Sequence, residues 1–313
     1  MDRQVPMKST AAFKTVPAPP VMAGLILCVT LLAVAKQKPA EARQTPSLTP
    51  PAGIQMPSRG ISSHRGANHT HPENTLPAFR EAIRVGAHQI ELDIRLTDHG
   101  DLIVIHDATV DRTTDGTGPV REMTLDQIKQ LDAGSWMSRK FTGVRVPTLD
   151  EALRIMPDNV WLNLDLKDDD AELGRGVART VIEHGRAHQS IFAARPEAAA
   201  GVRQVWADLL ICNMNRTRST PNEEYVAETL ARGHQFIQFR AGPGTPEQVA
   251  KLRQAGVRIN YCCTNEPDDL EDLFARGIEF PLVDDLHAMM QRAVQLGITP
   301  LEPVYLDKPV RKR

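Results

Sequence analysis

Glu91 and Asp93 stand two residues apart in 88–97, where Ile90, Leu92, Ile94 and Leu96 alternate with Glu91, Asp93 and Arg95. A period of two belongs to a strand, so the two carboxylates share one face and the apolar side chains take the other. Carboxylates about 6–7 Å apart in a partly dry site repel each other unless a cation is shared between them. The stretch 160–167 repeats the pattern, with leucines alternating with Asn163, Asp165 and Lys167. Glu91, Asp93 and Asp165 on neighbouring strands form an oxygen-rich set suited to Mg²⁺ or Ca²⁺, with Mn²⁺ a further candidate. Taken strand by strand, ordinary Glu91–Arg95 and Asp165–Lys167 ion pairs explain the same residues. Two histidines tip the balance toward chemistry. His64 ends a short strand candidate, 61–64, and His106 ends a hairpin arm whose register brings it about opposite Leu92 or Asp93. A histidine pair beside a metal site can attack a phosphodiester: one ring takes a proton from the nucleophile and the other gives one to the leaving oxygen. Arg65 and Lys167 would neutralise the phosphate oxygens. His184, His188, His234 and His287 read as structural.

The elements that must position these residues alternate between strand and helix. Strand candidates are 61–64, 88–97, 102–105, 160–167, 190–194, 209–212, 235–239, 258–262 and 280–284. The turn 98–101 is too short for a parallel crossover, so 102–105 must return antiparallel as an arm. Eight staves remain, which predicts a (β/α)₈ TIM barrel over residues 60–300. An open doubly wound sheet would typically show a glycine-rich phosphate turn after its first strand, and none occurs here. Helices are expected after Thr75, Thr124, Thr148 and Thr245; the last three open capping boxes with Gln127, Glu151 and Gln248. Residues 107–147, rich in turn signals, form a small insertion lobe near the mouth.

The first 35 residues read as a signal peptide. Arg3, Lys8 and Lys14 precede a 15-residue apolar run, 21–35, that ends in Ala33-Val34-Ala35. This predicts export, periplasmic or secreted. Anchoring by 21–35 is the alternative, and it is disfavoured because a spanning helix usually needs about 20 apolar residues. Residues 36–59, six of them Pro or Gly, read as a flexible linker, and 301–313 as a tail. A formal net charge of −2 with no long internal basic run excludes capture of nucleic acid by a basic face. The expected partner is a small-molecule phosphodiester, with no obligate protein partner; membrane contact would come only through an uncleaved signal segment. Four cysteines, two of them adjacent, predict no structural disulfide.

Several motifs recur in order: His64-Arg65-Gly66, Pro72-Glu73-Asn74-Thr75, Glu91-x-Asp93, Val104-Ile105-His106-Asp107, Asp111-Arg112-x-Thr114 and Pro147-Thr148-Leu149-x-Glu151. In this order the chain resembles the glycerophosphodiester phosphodiesterases over about residues 61–297. The resemblance implies a (β/α)₈ barrel with an insertion near its mouth, hydrolysing glycerophosphodiesters to glycerol 3-phosphate and an alcohol. It implies that His64 and His106 are the acid/base pair, that Glu91 and Asp93 hold metal, and that Arg65 contacts phosphate. The chain departs from the family pattern at three places. The usual Glu-x-Lys reads Asp165-Leu-Lys167, the usual Trp-Thr-x-Asn reads Cys262-Cys263-Thr264-Asn265, and the closing Thr-Asp reads Val283-Asp284. These departures bear on substrate shape. The alternatives are a lysophospholipid head-group phospholipase on the same barrel and a barrel that binds phosphodiesters without turnover.

Overall fold

Leucine, isoleucine and valine on alternate strand positions seek the helices, and this closes the sheet on itself. The computed structural model describes residues 46–240 and 242–306. Its strands are β1 (Ser62–Ser63), β2 (Gln89–Leu96), β3 (Leu102–Val104), β4 (Trp161–Leu166), β5 (Ser190–Ala194), β6 (Leu210–Asn213), β7 (Phe236–Phe239), β8 (Arg258–Cys262) and β9 (Phe280–Val283). All pair in parallel except β3, and β1 joins both β9 and β2, so eight staves form a closed barrel. The helices are α1 (Leu76–Val85), α2 (Leu125–Gln130), α3 (Leu149–Ile155), α4 (Ala171–Glu183), α5 (Pro196–Val205), α6 (Asn222–Ala231), α7 (Pro246–Gln254), α8 (Asp269–Ala275) and α9 (Leu286–Gln295). The predicted (β/α)₈ architecture is the observed one.

Local chemistry explains where the helices start. Thr124, Thr148 and Thr245 each accept from the third backbone N–H of the helix, and Gln127, Glu151 and Gln248 reach back to the threonine N–H. Such reciprocal caps satisfy two otherwise orphaned donors each. The apolar face of β2 (Ile90, Leu92, Ile94, Leu96) and of β4 (Leu162, Leu164, Leu166) is buried in one core with Phe79, Leu153, Leu173 and Val177 of the surrounding helices. Two close approaches require glycine. A Cβ on Gly66 (φ 77°) would stand 2.8 Å from the Ala78 carbonyl carbon, so this residue lets the loop after β1 lie on α1. Gly174 and Gly201 similarly let α4 and α5 touch backbone to backbone.

The arm β3 pairs with β2 antiparallel, with Ile94 opposite Val104 and Leu96 opposite Leu102. Continuing that register sets His106 opposite Leu92, and Ile105 N–H donates to the Asp93 carbonyl at 3.0 Å. The insertion lobe follows. It has a small core of its own: Ile103, Ile105, Val110, Val120, Ile128, Ala133 and Val146.

Both flanking segments differ from the expectation of free linker and tail. At the amino ends of the staves, the Trp161 indole donates to Pro57 O at 2.9 Å, and Arg258 reaches Pro57 O at 3.3 Å and Ser58 O. Composition missed this because proline, though it lacks an N–H, keeps a full carbonyl acceptor. Residues 301–306 are held by Asn159, which donates to Glu302 O at 2.8 Å and accepts from Val304 N at 3.0 Å, and by Asp158, which accepts from Leu306 N at 3.0 Å. The signal-peptide reading, the linker residues 36–45 and the tail residues 307–313 lie outside the described residues. Among the described residues, no helix is long and apolar enough to cross a membrane.

Candidate active site

All seven residues singled out for chemistry meet in one cavity of about 280 Å³ at the carboxyl ends of the staves: His64, Arg65, Glu91, Asp93, His106, Asp165 and Lys167. In-register pairing of β2 and β4 sets Asp93 beside Asp165 and Glu91 beside Asn163. Glu91, Asp93 and Asp165 each offer an oxygen, and these oxygens lie within 4.8 Å of one another.

Glu91 and Asp93 are buried, and their surroundings push them apart. Burial, then the Asp93 and Asp165 charges, raise the Glu91 carboxyl well above the usual range. Burial also opposes charge on Asp93, but Lys167, Arg65 and His106 outweigh it and hold that carboxyl below its ordinary value. Lys167 Nζ lies 3.3 Å from Asp93 and 3.1 Å from Asp165. Asp93 Oδ1 is buried and makes no hydrogen bond beyond its ion pair with Lys167 Nζ. Three converging carboxylates, one of them with its pKa raised by burial and by the charges of the other two, fit a hard divalent cation. The in-strand Glu91–Arg95 pair is not formed: Arg95 bonds Asp168 at 2.7 Å and the His106 carbonyl at 2.9 Å.

The backbone around the cluster is shaped to serve it. Arg65 (φ 55°) and Asn74 (φ 56°) both adopt the left-handed conformation. That conformation is unfavourable for side-chain-bearing residues and persists where the surroundings hold it. Here it turns the Arg65 N–H onto Glu91 Oε2 at 2.7 Å, while Asn74 Nδ2 donates to Asp93 Oδ2 at 2.7 Å. The Arg65 guanidinium pairs with Glu73 at 2.8 Å and lies 3.3 Å from Asp93. Glu73 in turn takes two bonds from Arg112 of the lobe, each 2.8 Å. That contact ties the insertion to the mouth.

Both histidines are oriented by a carboxylate whose role the sequence did not disclose. His64 Nδ1 lies 2.7 Å from Asp284 Oδ1, and Asn68 and Asn265 also donate to Asp284, at 2.6 and 3.0 Å. These bonds, that from His64 foremost, hold the Asp284 carboxyl below the usual range against the effect of burial. His106 Nδ1 lies 2.6 Å from Asp107 Oδ1, and Arg112 clamps Asp107 from the other side at 2.6 Å. A carboxylate on Nδ1 selects the tautomer that leaves Nε2 basic. Burial lowers the His106 pKa, with Lys167 and Arg65 adding to it against the Asp93 and Asp107 charges, so the ring is neutral near pH 7. Asp284 and Asp107 stand in the quoted motifs, but sequence spacing alone could not show that they would face ring nitrogens.

The far wall departs from expectation. Cys262 and Cys263 are joined in a disulfide, contrary to the prediction of none, and line the cavity with Leu282. The sequence expectation rested on the rarity of a disulfide between neighbouring residues; here the two Cα atoms lie 3.0 Å apart. Their sulfurs and a His64 ring nitrogen lie within 4.8 Å of one another. Three arginines that sequence reasoning passed over also line the cavity: Arg195, Arg216 and Arg240. The signal was present, since an arginine follows the end of three consecutive staves within three residues.

Comparison with known proteins agrees with this geometry. The model of the glycerophosphoryl diester phosphodiesterase family matches residues 64–172. A glycerophosphodiester phosphodiesterase of Caldanaerobacter subterraneus is 49% identical over 108 residues, covering 34% of this chain and 44% of that protein. Human glycerophosphodiester phosphodiesterase 1 is 33% identical over 159 residues, covering 49% of this chain and 48% of that protein. The chain thus spans about half the length of these curated relatives. The crystal structure of the Agrobacterium tumefaciens glycerophosphodiester phosphodiesterase superposes with TM-score 0.66 at 28% identity, covering 74% of this chain and 99% of that one. An Oleispira antarctica phosphodiesterase, solved with the product sn-glycerol-3-phosphate, shares the fold at TM-score 0.64 and 23% identity, covering 77% of this chain and 97% of that one. The motifs, the barrel and the paired histidines thus make the chain similar to the glycerophosphodiester phosphodiesterase family, whose model it matches over residues 64–172.

Proposed function

We propose that this protein hydrolyses glycerophosphodiesters to glycerol 3-phosphate and an alcohol, using a divalent cation held by Glu91, Asp93 and Asp165. The observation that supports this most is the meeting of two carboxylate-oriented histidines and three carboxylates in one cavity. A bound Mg²⁺ or Ca²⁺ would supply positive charge against the phosphate oxygens, where negative charge grows in the transition state.

The chain's own residues supply the rest. Arg65 and Lys167, already facing Asp93, lie where they can hold the phosphate. His106, neutral near pH 7, takes the proton of the attacking water on Nε2 as the water oxygen bonds to phosphorus. As the bond from phosphorus to the alcohol oxygen breaks, His64 hands that oxygen a proton. Asp284, 2.7 Å from His64 Nδ1, stands on the opposite edge of the ring from the transferred proton and orients the ring. Asp107 and Asp284 are positioning residues, each fixing one ring.

Incubation of the purified protein with glycerophosphocholine and with lysophosphatidylcholine, each with Mg²⁺ and with excess EDTA, tests the reading. Release of glycerol 3-phosphate from the first, abolished by EDTA and restored by Mg²⁺, Ca²⁺ or Mn²⁺, is the expected result. Turnover of the lysolipid alone would move the assignment to a phospholipase. Full activity in chelator would remove the metal, and binding without turnover of either would leave a non-catalytic barrel.

A further inference from the structure

Charge is distributed unevenly around the cavity. Five cationic side chains line it against three carboxylates, and all three carboxylates lie on β2 and β4. Arg65 and Lys167 are engaged with those carboxylates. The other three cations stand apart from them. Arg195 directly follows β5, Arg240 directly follows β7, and Arg216 lies three residues past β6. Among the described residues, none of the three is paired with a carboxylate. Arg195 donates to the Lys167 carbonyl at 2.9 Å, and Arg216 lies over the Tyr225 ring at 5.6 Å. Arg216 and Arg240 also line a neighbouring cavity of about 270 Å³, so they stand between it and the reaction site.

Unpaired arginines converging on a cavity repel one another and are disposed to take an anion, most strongly one with several oxygens for their forked donors. The diester phosphate under attack carries a single charge, and Arg65, Lys167 and the cation that Glu91, Asp93 and Asp165 would hold suffice to meet it. We infer that Arg195, Arg216 and Arg240 form a second anion subsite, which receives a further phosphate carried on the alcohol half of the substrate. The inference rests on the phosphodiesterase reading above and narrows its substrate class. A choline alcohol brings a cation to this wall and is disfavoured; a phosphate-bearing alcohol is matched to it. A lipid surface fits less well. The arginines line a concave site, and none of the large exposed apolar side chains (Trp136, Val294, Val304 and Tyr305) lies in 190–240, the stretch that carries them.

The test compares bis(glycerophospho)glycerol, whose alcohol half bears a second phosphate, with glycerophosphocholine on the purified Mg²⁺-supplemented protein. At low salt, kcat/KM for the phosphate-bearing diester is expected to exceed that for the choline diester by at least about tenfold, because three cations select between charges of opposite sign. The ratio should fall about fivefold in Arg240→Gln and again in Arg195→Gln, both exposed, and should fall toward unity in 1 M salt. A ratio at or below one, or a ratio unmoved by both substitutions, would overturn the subsite. Calorimetry with His106→Ala protein gives the same comparison as affinities, without relying on turnover. Retained preference in binding with no hydrolysis of any diester by the wild type would overturn the phosphodiesterase reading and support the subsite. Salt-sensitive binding to phosphatidylglycerol vesicles, lost in Arg240→Gln and without preference between the two diesters, would assign the arginines to a membrane instead and overturn the inference.

Discussion

The two sides of the barrel mouth handle charge in opposite ways. Around β1, β2 and β4 each functional charge is answered by a neighbour: His64 by Asp284, Arg65 by Glu73, Lys167 by Asp165, His106 by Asp107. Past β5, β6 and β7 three arginines stand without a carboxylate partner among the described residues. Preorganised polar networks suit a reaction whose geometry is the same for every substrate. Unanswered charge suits recognition of something that arrives from outside. If the chemistry resides on the first side and the choice of substrate on the second, as proposed, substitutions on the two sides should separate kcat from preference.

The largest effects are expected on the first side. His106→Ala should lower kcat by about 10²–10⁴-fold, the usual contribution of a positioned acid or base, and His64→Ala should do the same. The double variant should lose little more than either single one, because the two act in one step. Stopped assays of glycerol 3-phosphate release give these values; near wild-type kcat in either variant would remove that histidine from the reaction. Asp284→Asn keeps the shape but replaces the oriented carboxylate. It should cost about 10²-fold in kcat with little change in KM, as expected when a reacting group is misplaced. A change confined to KM would show that Asp284 holds substrate rather than His64.

Much of this first side was legible before the fold was known. Strict alternation in 88–97 and 160–167 fixed the inward face, and the short turn 98–101 fixed the hairpin, so Glu91, Asp93, Asp165 and His106 could be brought together from spacing alone. What escaped depended on the third dimension. Asp284 meets His64 only because the barrel closes, 220 residues later in the chain. The Cys262–Cys263 bridge was missed because neighbouring cysteines rarely pair. Arg195, Arg216 and Arg240 follow three consecutive staves within three residues, but only closure of the barrel turns those ends onto one cavity. The segment 46–59 has a linker's composition, yet Pro57 and Ser58 are held through their carbonyls and Leu48 and Met56 pack against buried clusters.

The smallest effect expected is on stability, from a histidine outside the mouth. His234 precedes β7, is buried and has an Nδ1 without a hydrogen-bond partner. Burial, helped by Arg203 and Arg232, lowers its pKa to about 4. The unfolded chain, with an ordinary histidine near 6.5, binds the proton first as pH falls. Its contribution is therefore a loss of stability between pH 6.5 and about 4, with none above that window. His234→Asn should flatten that part of a urea-melt pH series while leaving substrate preference as it was. An unchanged slope would place the acid sensitivity elsewhere.

The central claim is that Glu91, Asp93 and Asp165 act together as a metal centre, and calorimetric titration of Mn²⁺ tests it without recourse to turnover. The wild type should bind one ion per barrel. Asp165→Asn should bind it about tenfold or more weakly, since a charged oxygen donor is lost, whereas Asp165→Glu should bind at least as tightly as the wild type. Equal Mn²⁺ affinity in the wild type and in Asp165→Asn would contradict the account, because the aspartate would then serve only as the partner of Lys167.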